Sequence, residues 1–119
     1  MNHVVLRGHL SSTPVSRELA SGSVLWSLEV TTPTEEGAWS VPVAWFDPPS
    51  EPVFAVGDEV VVVGAVRRRF YRGAAGTQSR TEVVAAEVLP VTARRKVQRA
   101  IERAAERLGA AASGELRSV

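Results

Sequence analysis

The feature that most restricts what this chain can fold into is the stretch 59–88, EVVVVGAVRRRFYRGAAGTQSRTEVVAAEV. Two runs rich in β-branched residues flank a glycine-containing turn, which predicts a long β-hairpin. The first run is wholly apolar over residues 60–63 and then becomes Arg67, Arg68, Arg69, Phe70, Tyr71 and Arg72 as it nears Gly73. The apolar half requires a core, and the basic half must stand clear of it. Side chains alternate across a strand, so Val60, Val62, Gly64, Val66, Arg68 and Phe70 share one face, and Val61, Val63, Ala65, Arg67, Arg69 and Tyr71 share the other. Each face therefore ends in a cation and an aromatic ring. A projecting ribbon of that kind suits a polyanion that carries flat rings, because guanidinium groups pair with phosphates while bases stack on aromatics.

Three further strands precede the hairpin. In residues 3–10, Val4, Leu6 and Leu10 point inward, with Val5, Arg7 and His9 on the other face, and Ser11, Ser12, Thr13 and Pro14 break the run. Residues 15–20 are ambiguous. Residues 23–31 place Val24, Trp26, Leu28 and Val30 on one side, the pattern of a half-buried sheet. After the polar loop TPTEEGA, residues 39–46 place Trp39, Val41, Val43 and Trp45 on one face, while Pro42 implies an edge position or a bulge. The segment DPPSEP is not strand, and at most a helical turn fits before Val56. Five strands with a break after the third predict an all-β domain, a five-stranded OB-fold barrel with a long hairpin between its fourth and fifth strands. Past Pro90 the period changes: Val97, Ala100, Ile101, Ala104 and Leu108 recur at helical spacing, so a C-terminal amphipathic α-helix is expected, capped by Thr92 and ended by Gly109. The expected organisation is a barrel over 1–91, a helix over 92–109 and a flexible tail over 110–119.

Charge divides along the chain although the whole carries only +1. Residues 1–63 hold two cations against eight carboxylates, a balance of −6; residues 64–119 hold twelve against five, a balance of +7. An anionic partner would meet the second half. Thirteen of the fourteen cations are arginine, a bias that abundant Ala and Val attribute more to genome composition than to phosphate recognition. There is no cysteine, which removes disulfides, thiolate nucleophiles and cysteine-ligated metals together. His3 and His9 read as strand surface, and no carboxylate cluster completes a metal site around them. No Gly-x-Ser-x-Gly, phosphate-binding loop or spaced histidine pair accompanies the Ser and Thr residues, so no enzyme and no cofactor are expected. The start MNHVVLRG lacks the features of a signal peptide and no apolar run is long enough to span a bilayer, so a cytoplasmic protein is expected.

The segments NHVVLRGHL, SGSVLWSLEV, WSVPVAWF, VGDEVVVVGAVRRRFY and TEVVAAEVLPV, in that order, resemble the bacterial single-stranded DNA-binding protein family over residues 2–91. The resemblance implies an OB-fold that assembles as a homotetramer, with a dimer as the simpler assembly, and wraps single-stranded DNA without marked sequence preference or catalysis. It implies that Trp39, Trp45 and Tyr71 stack bases; Phe70, beside Tyr71 on the hairpin, is a further candidate ring from the residue pattern itself. Arg67, Arg69 and Arg72 would neutralise phosphates, and Arg7 lies on the first strand near a similar surface. Trp26 matches a core position. Three departures stand out: Val41 and Pro42 in the third strand, Glu35 and Glu36 in a short loop where they would repel phosphate, and GELRSV in place of the family's acidic tip. Recruitment of partners through an acidic tail is accordingly not expected, and a specialised paralogue fits better than the main housekeeping protein.

Several of these residues admit a plainer reading. From spacing alone Trp39 and Trp45, sharing a face with Val41 and Val43, are as compatible with core as with a stacking platform. Arg67, Arg68, Arg69, Arg72 and Arg80 could form a solvated tip that discourages edge-to-edge aggregation. The helix could be a packing element, an added basic surface or an oligomer seam. The rival function is an OB-fold protein-interaction subunit with vestigial nucleic-acid affinity.

Overall fold

The computed structural model describes the backbone of residues 1–117 and the side chains of residues 1–110; the rest of the expected tail lies outside the described residues. The strands are β1 (Val4–Leu10), β2 (Val15–Glu18), β3 (Val24–Thr34), β4 (Gly37–Phe46), β5 (Glu59–Gly73) and β6 (Gly76–Pro90), followed by α1 (Arg94–Arg117). Five of them are the strands expected from the sequence. The ambiguous stretch supplies the sixth, β2, which pairs antiparallel with β3 from Val15↔Ser27 to Glu18↔Val24 and keeps all four residues exposed.

The barrel closes in the order β1-β5-β6-β4-β3-β1, with β2 outside the ring. The β4–β6 pairing is parallel, at Val43↔Val83 and Ala44↔Val84, and the other pairings are antiparallel. This is the mixed five-stranded barrel of an OB-fold, with an added strand and one helix. Closure needs sharp corners, and two glycines sit at them. β1 pairs with β5 from Val4↔Gly64 to His9↔Glu59 and turns onto β3 at His9↔Thr31 and Leu10↔Val30. A Cβ on Gly8, at that turn, would run into the carbonyl of Thr31, and a Cβ on Gly64 would run into the carbonyl of Val84. Gly64 also lies where the β5–β6 ladder shifts register, passing from Val63↔Glu87 to Gly64↔Ala85. A bulge plus a glycine is the usual means of bending a strand tightly enough to close a small barrel.

Alternation places Leu10, Leu28, Val30, Val43, Trp45, Val60, Val62, Val83, Ala85 and Val88 inside, with Val4, Leu6, Trp26, Val41 and Phe54 partly buried against them. The opposite face of β5 carries Val61 and Val63, which α1 covers with Ala100 and Ala104. Two alanines let the helix backbone approach the sheet closely, and Arg103 Nη2 anchors it by a 2.8 Å bond to Glu87 Oε1. Pro42 pairs with Glu29 of β3, one residue before the β4–β6 pairing begins, so it occupies the one-sided stretch its missing amide hydrogen requires.

Both expected helix boundaries are displaced. The first helical hydrogen bond runs from Val97 N–H to the Ala93 carbonyl, which makes Ala93 the N-cap and leaves Thr92 one residue too early. α1 also continues through Gly109 to Arg117. Gly109 has no positive φ, and the three alanines that follow it, Ala110, Ala111 and Ala112, are good helix formers that carry the backbone on.

The two kinds of glycine respond oppositely to a methyl group. Gly64→Ala forces the carbonyl of Val84 aside and is expected to lower stability by about 1–3 kcal/mol in chemical denaturation. Gly109→Ala meets nothing within 4 Å and is expected to raise helical far-UV ellipticity, since glycine inside a helix costs about 1 kcal/mol relative to alanine.

Candidate nucleic-acid interface

Beyond the barrel, β5 and β6 continue as a two-stranded arm. Pairing runs unbroken from Gly64↔Ala85 to Gly73↔Gly76, while β4 pairs with β6 at Val83 and Val84. From Arg67 to Gly73 the arm extends on the order of 20 Å, at roughly 3.3 Å per residue. Its tip is the two-residue loop Ala74–Ala75 closed by Gly76 at φ 104°, a type I turn with a glycine bulge. At its base the Asn2 side chain behaves as one more strand residue: Val66 N–H donates to Asn2 Oδ1 at 2.9 Å and Asn2 Nδ2 donates to the Val66 carbonyl at 2.6 Å.

The parallel β4–β6 register sends the β3–β4 hairpin to the same end of the barrel. Its tip is Thr34 to Gly37, with Gly37 at φ 124° and Glu35 and Glu36 exposed. Carried back four residues from Val43↔Val83, the register sets Trp39 level with Ser79, which is the cross-strand partner of Phe70. Parity puts Trp39, Val43, Val83, Ser79 and Phe70 on one face, the continuation of the barrel interior. The two hairpins thus present Trp39 and Phe70 from separate strands on one side of the molecule. They are the most open of the candidate aromatics, 56% and 66% exposed. Arg68 and Arg72 lie on the same face of β5, Arg68 with its guanidinium 6.0 Å from the centre of the Phe70 ring. Among the described residues neither arginine, nor Arg80, has an acidic partner.

The other face of the arm is organised differently. Arg67 Nη2 donates to Glu82 Oε2 at 2.7 Å, and Arg69 Nε lies 3.5 Å from Glu82 Oε1, too poorly aligned for a hydrogen bond. Glu82 is only 5% exposed. Arg67 sits 5.3 Å from the centre of the Phe46 ring and Arg69 sits 5.7 Å from that of Tyr71. The result is a ladder of aromatic, cation, carboxylate, cation and aromatic, whose three charged groups sum to +1.

Two expected site residues lie elsewhere. Trp45, expected as a stacking platform, is 8% exposed and belongs to the barrel core, paired across β3–β4 with Trp26. It shares a face with Trp39 but lies six residues nearer the closed end, where the same face is interior. Arg7 pairs with Val61 near the root of β5, nine residues from Phe70, and bonds Glu59 at 2.7 Å in an exposed ion pair. That pair is worth at most about 1 kcal/mol, and it leaves Arg7 outside the arm. Sequence reasoning missed Glu82 and Asn2. A hairpin closed at Gly73 and Gly76 puts Glu82 opposite Arg67, so the turn register held the signal for Glu82; the tether by Asn2 has none.

One depression, about 630 Å3, is lined by Arg7, Gly8, His9, Thr32, Pro33, Gly57 and Glu59, with no aromatic ring among them. A second, about 500 Å3, runs between α1 and β1 and is mainly apolar through Val5, Val61, Val91, Val97 and Ile101. No group of three or more His, Cys, Asp or Glu side chains is arranged to hold a metal among the described residues, and no helix among them is long and apolar enough to cross a membrane. Compared with models of known protein families and with curated protein sequences, the chain matches none.

Because Trp45 lies in the barrel core, Trp45→Ala should cost about 3–5 kcal/mol of unfolding free energy, measured by denaturant titration. Trp39→Ala should change stability by well under 1 kcal/mol, as exposed substitutions do. Equal effects of the two would contradict the assignment.

Proposed function

We propose that this protein binds single-stranded DNA without sequence preference, by base stacking and phosphate neutralisation, in replication, repair or recombination, and catalyses no reaction. The observation that carries this reading is that Trp39 and Phe70, both more than half exposed, stand on hairpins that leave the same end of an OB barrel, with Arg68 and Arg72 on the Phe70 face of the arm. Exposed rings have a hydration cost that stacked bases relieve, at about 1–3 kcal/mol per base, and every base offers such a face. Guanidinium groups without internal partners supply the complementary charge. Glu35 and Glu36 at the neighbouring hairpin tip would turn the backbone away from that side, so the strand would cross the arm rather than follow β3–β4.

Assembly as a homotetramer, or as a dimer, is part of the proposal, as is a cytoplasmic, nucleoid-associated location. The support for assembly is β1: over Val4 to Gly8 it pairs with β5 alone, and Val5 beside this open edge is 47% exposed. An unprotected edge with an apolar side chain invites a second strand. The mass in solution from light scattering tests this, and a monomer at working concentration would remove it.

A second reading draws on the apolar groove between α1 and β1, where Ile101 is 43% exposed. In it the barrel is a protein-interaction subunit and its nucleic-acid affinity is vestigial. Salt separates the two, because phosphate contacts release counterions and apolar contacts do not.

Titration with oligodeoxythymidine is expected to quench tryptophan fluorescence in a saturable way that salt reverses. Trp39→Ala should abolish most of the quenching, and Trp39→Ala and Phe70→Ala should each weaken binding by about tenfold or more, in line with one lost stack. Absence of any change at low salt would defeat the DNA reading and favour the interaction subunit.

A further inference from the structure

The arm carries five arginines, Arg67, Arg68, Arg69, Arg72 and Arg80, and two aromatic rings, Phe70 and Tyr71, but one carboxylate, Glu82. Glu82 is directly opposite Arg67 on β6 and is buried to 5% exposure, whereas Arg67 and Arg69 remain 41% and 37% exposed. A carboxylate held in that setting needs its cations. Both nearest arginines answer it, and each is further seated against a ring, Arg67 on Phe46 and Arg69 on Tyr71. The opposite face has no acid, and its ring at Phe70 is the most exposed aromatic of the arm at 66%.

We propose that Glu82 is a positioning residue that makes the arm one-sided: it holds Arg67 and Arg69 as a strut against Phe46 and Tyr71, so that single-stranded nucleic acid is bound only across the Trp39, Arg68, Phe70 and Arg72 face. This rests on the nucleic-acid reading above and deepens it. Arg67 and Arg69 then contribute to the stiffness of the arm and little to phosphate neutralisation. Tyr71, 41% exposed and covered by Arg69, is part of the strut. Without the carboxylate, two guanidinium groups are released on the second face, and the arm gains phosphate contacts instead of losing them.

The test is binding of oligodeoxythymidine by the full chain over a range of salt, for the parent and for Arg68→Ala, Arg67→Ala and Glu82→Gln, with denaturation of each variant alongside. Each phosphate contact to a single strand contributes about 0.7 to the slope of log affinity against log salt. Arg68→Ala is expected to reduce the slope by about 0.7, and Arg67→Ala to leave it unchanged while lowering stability. Glu82→Gln, which keeps the side-chain shape, is expected to steepen the slope by about 0.7–1.4 and to tighten binding at low salt. A slope that falls in Arg67→Ala as much as in Arg68→Ala, in proteins that remain folded, overturns the one-sided arm. So does a Glu82→Gln protein that is folded and binds with the parent's slope. If the parent itself fails to bind, the nucleic-acid reading fails first and takes this inference with it, an outcome distinguishable from a parent that binds with the wrong arginines.

Discussion

Everything in this molecule depends on one continuous antiparallel ladder, β5 with β6. Over its first half it is barrel wall, with Val60, Val62 and Val88 in the interior and Val61 and Val63 under α1. Over its second half it pairs with no third strand, and its backbone hydrogen bonds keep Arg67 to Tyr71 in extended, alternating positions. A two-stranded ribbon is marginal by itself in water. Here it continues the buried half of the same ladder, carries the Arg67–Glu82 ion pair across its strands and is tied at its base by Asn2. The aromatic and basic residues therefore sit on a continuously hydrogen-bonded element although they lie outside the core.

The barrel in turn positions the second aromatic. Parallel β4–β6 pairing requires that the β3–β4 and β5–β6 hairpins leave the barrel at the same end, and the shared parity of Val43 and Val83 puts Trp39 and Phe70 on the same side. The helix takes the opposite side of β5, where its small residues Ala100 and Ala104 replace solvent over Val61 and Val63. The cations of its first turn, Arg94, Arg95 and Lys96, sit at the end of the helix where the backbone dipole is positive, and Ala93 offers no side-chain cap. Packing of the helix against the sheet, more than its own termini, must hold it.

The fold was legible in the sequence because a strand with one buried face writes its period into the residues: Val24, Trp26, Leu28 and Val30 on β3, and the valines of β5, each declare a side. The site was legible in part. Trp39 and Trp45 have the same parity, and nothing in the spacing says where along β4 the interior ends and solvent begins; that depends on how far β6 accompanies the strand, a tertiary fact. Arginines 67–72 were visible as a group, but which of them are neutralised depends on the cross-strand residue, hence on the turn register. The helix ends were misplaced because Thr92 and Gly109 are good local signals that the backbone does not use: the turn after Pro90 carries the chain one residue past Thr92, and the alanine-rich sequence beyond Gly109 sustains the helix through it.

The register shift between Val63 and Gly64 has an electrical consequence far from where it occurs. At the barrel wall it forms a corner that helps the strands close. If the ladder kept its earlier phase, in which Val62 faces Val88 and Val63 faces Glu87, Glu82 would fall opposite Arg68 and on the other side of the ribbon. The lone acid would then mute the side that holds Phe70 and leave the Tyr71 side charged. A single unpaired residue at the barrel wall thus acts as a polarity selector for the arm, and shape and charge in this domain are not separately adjustable.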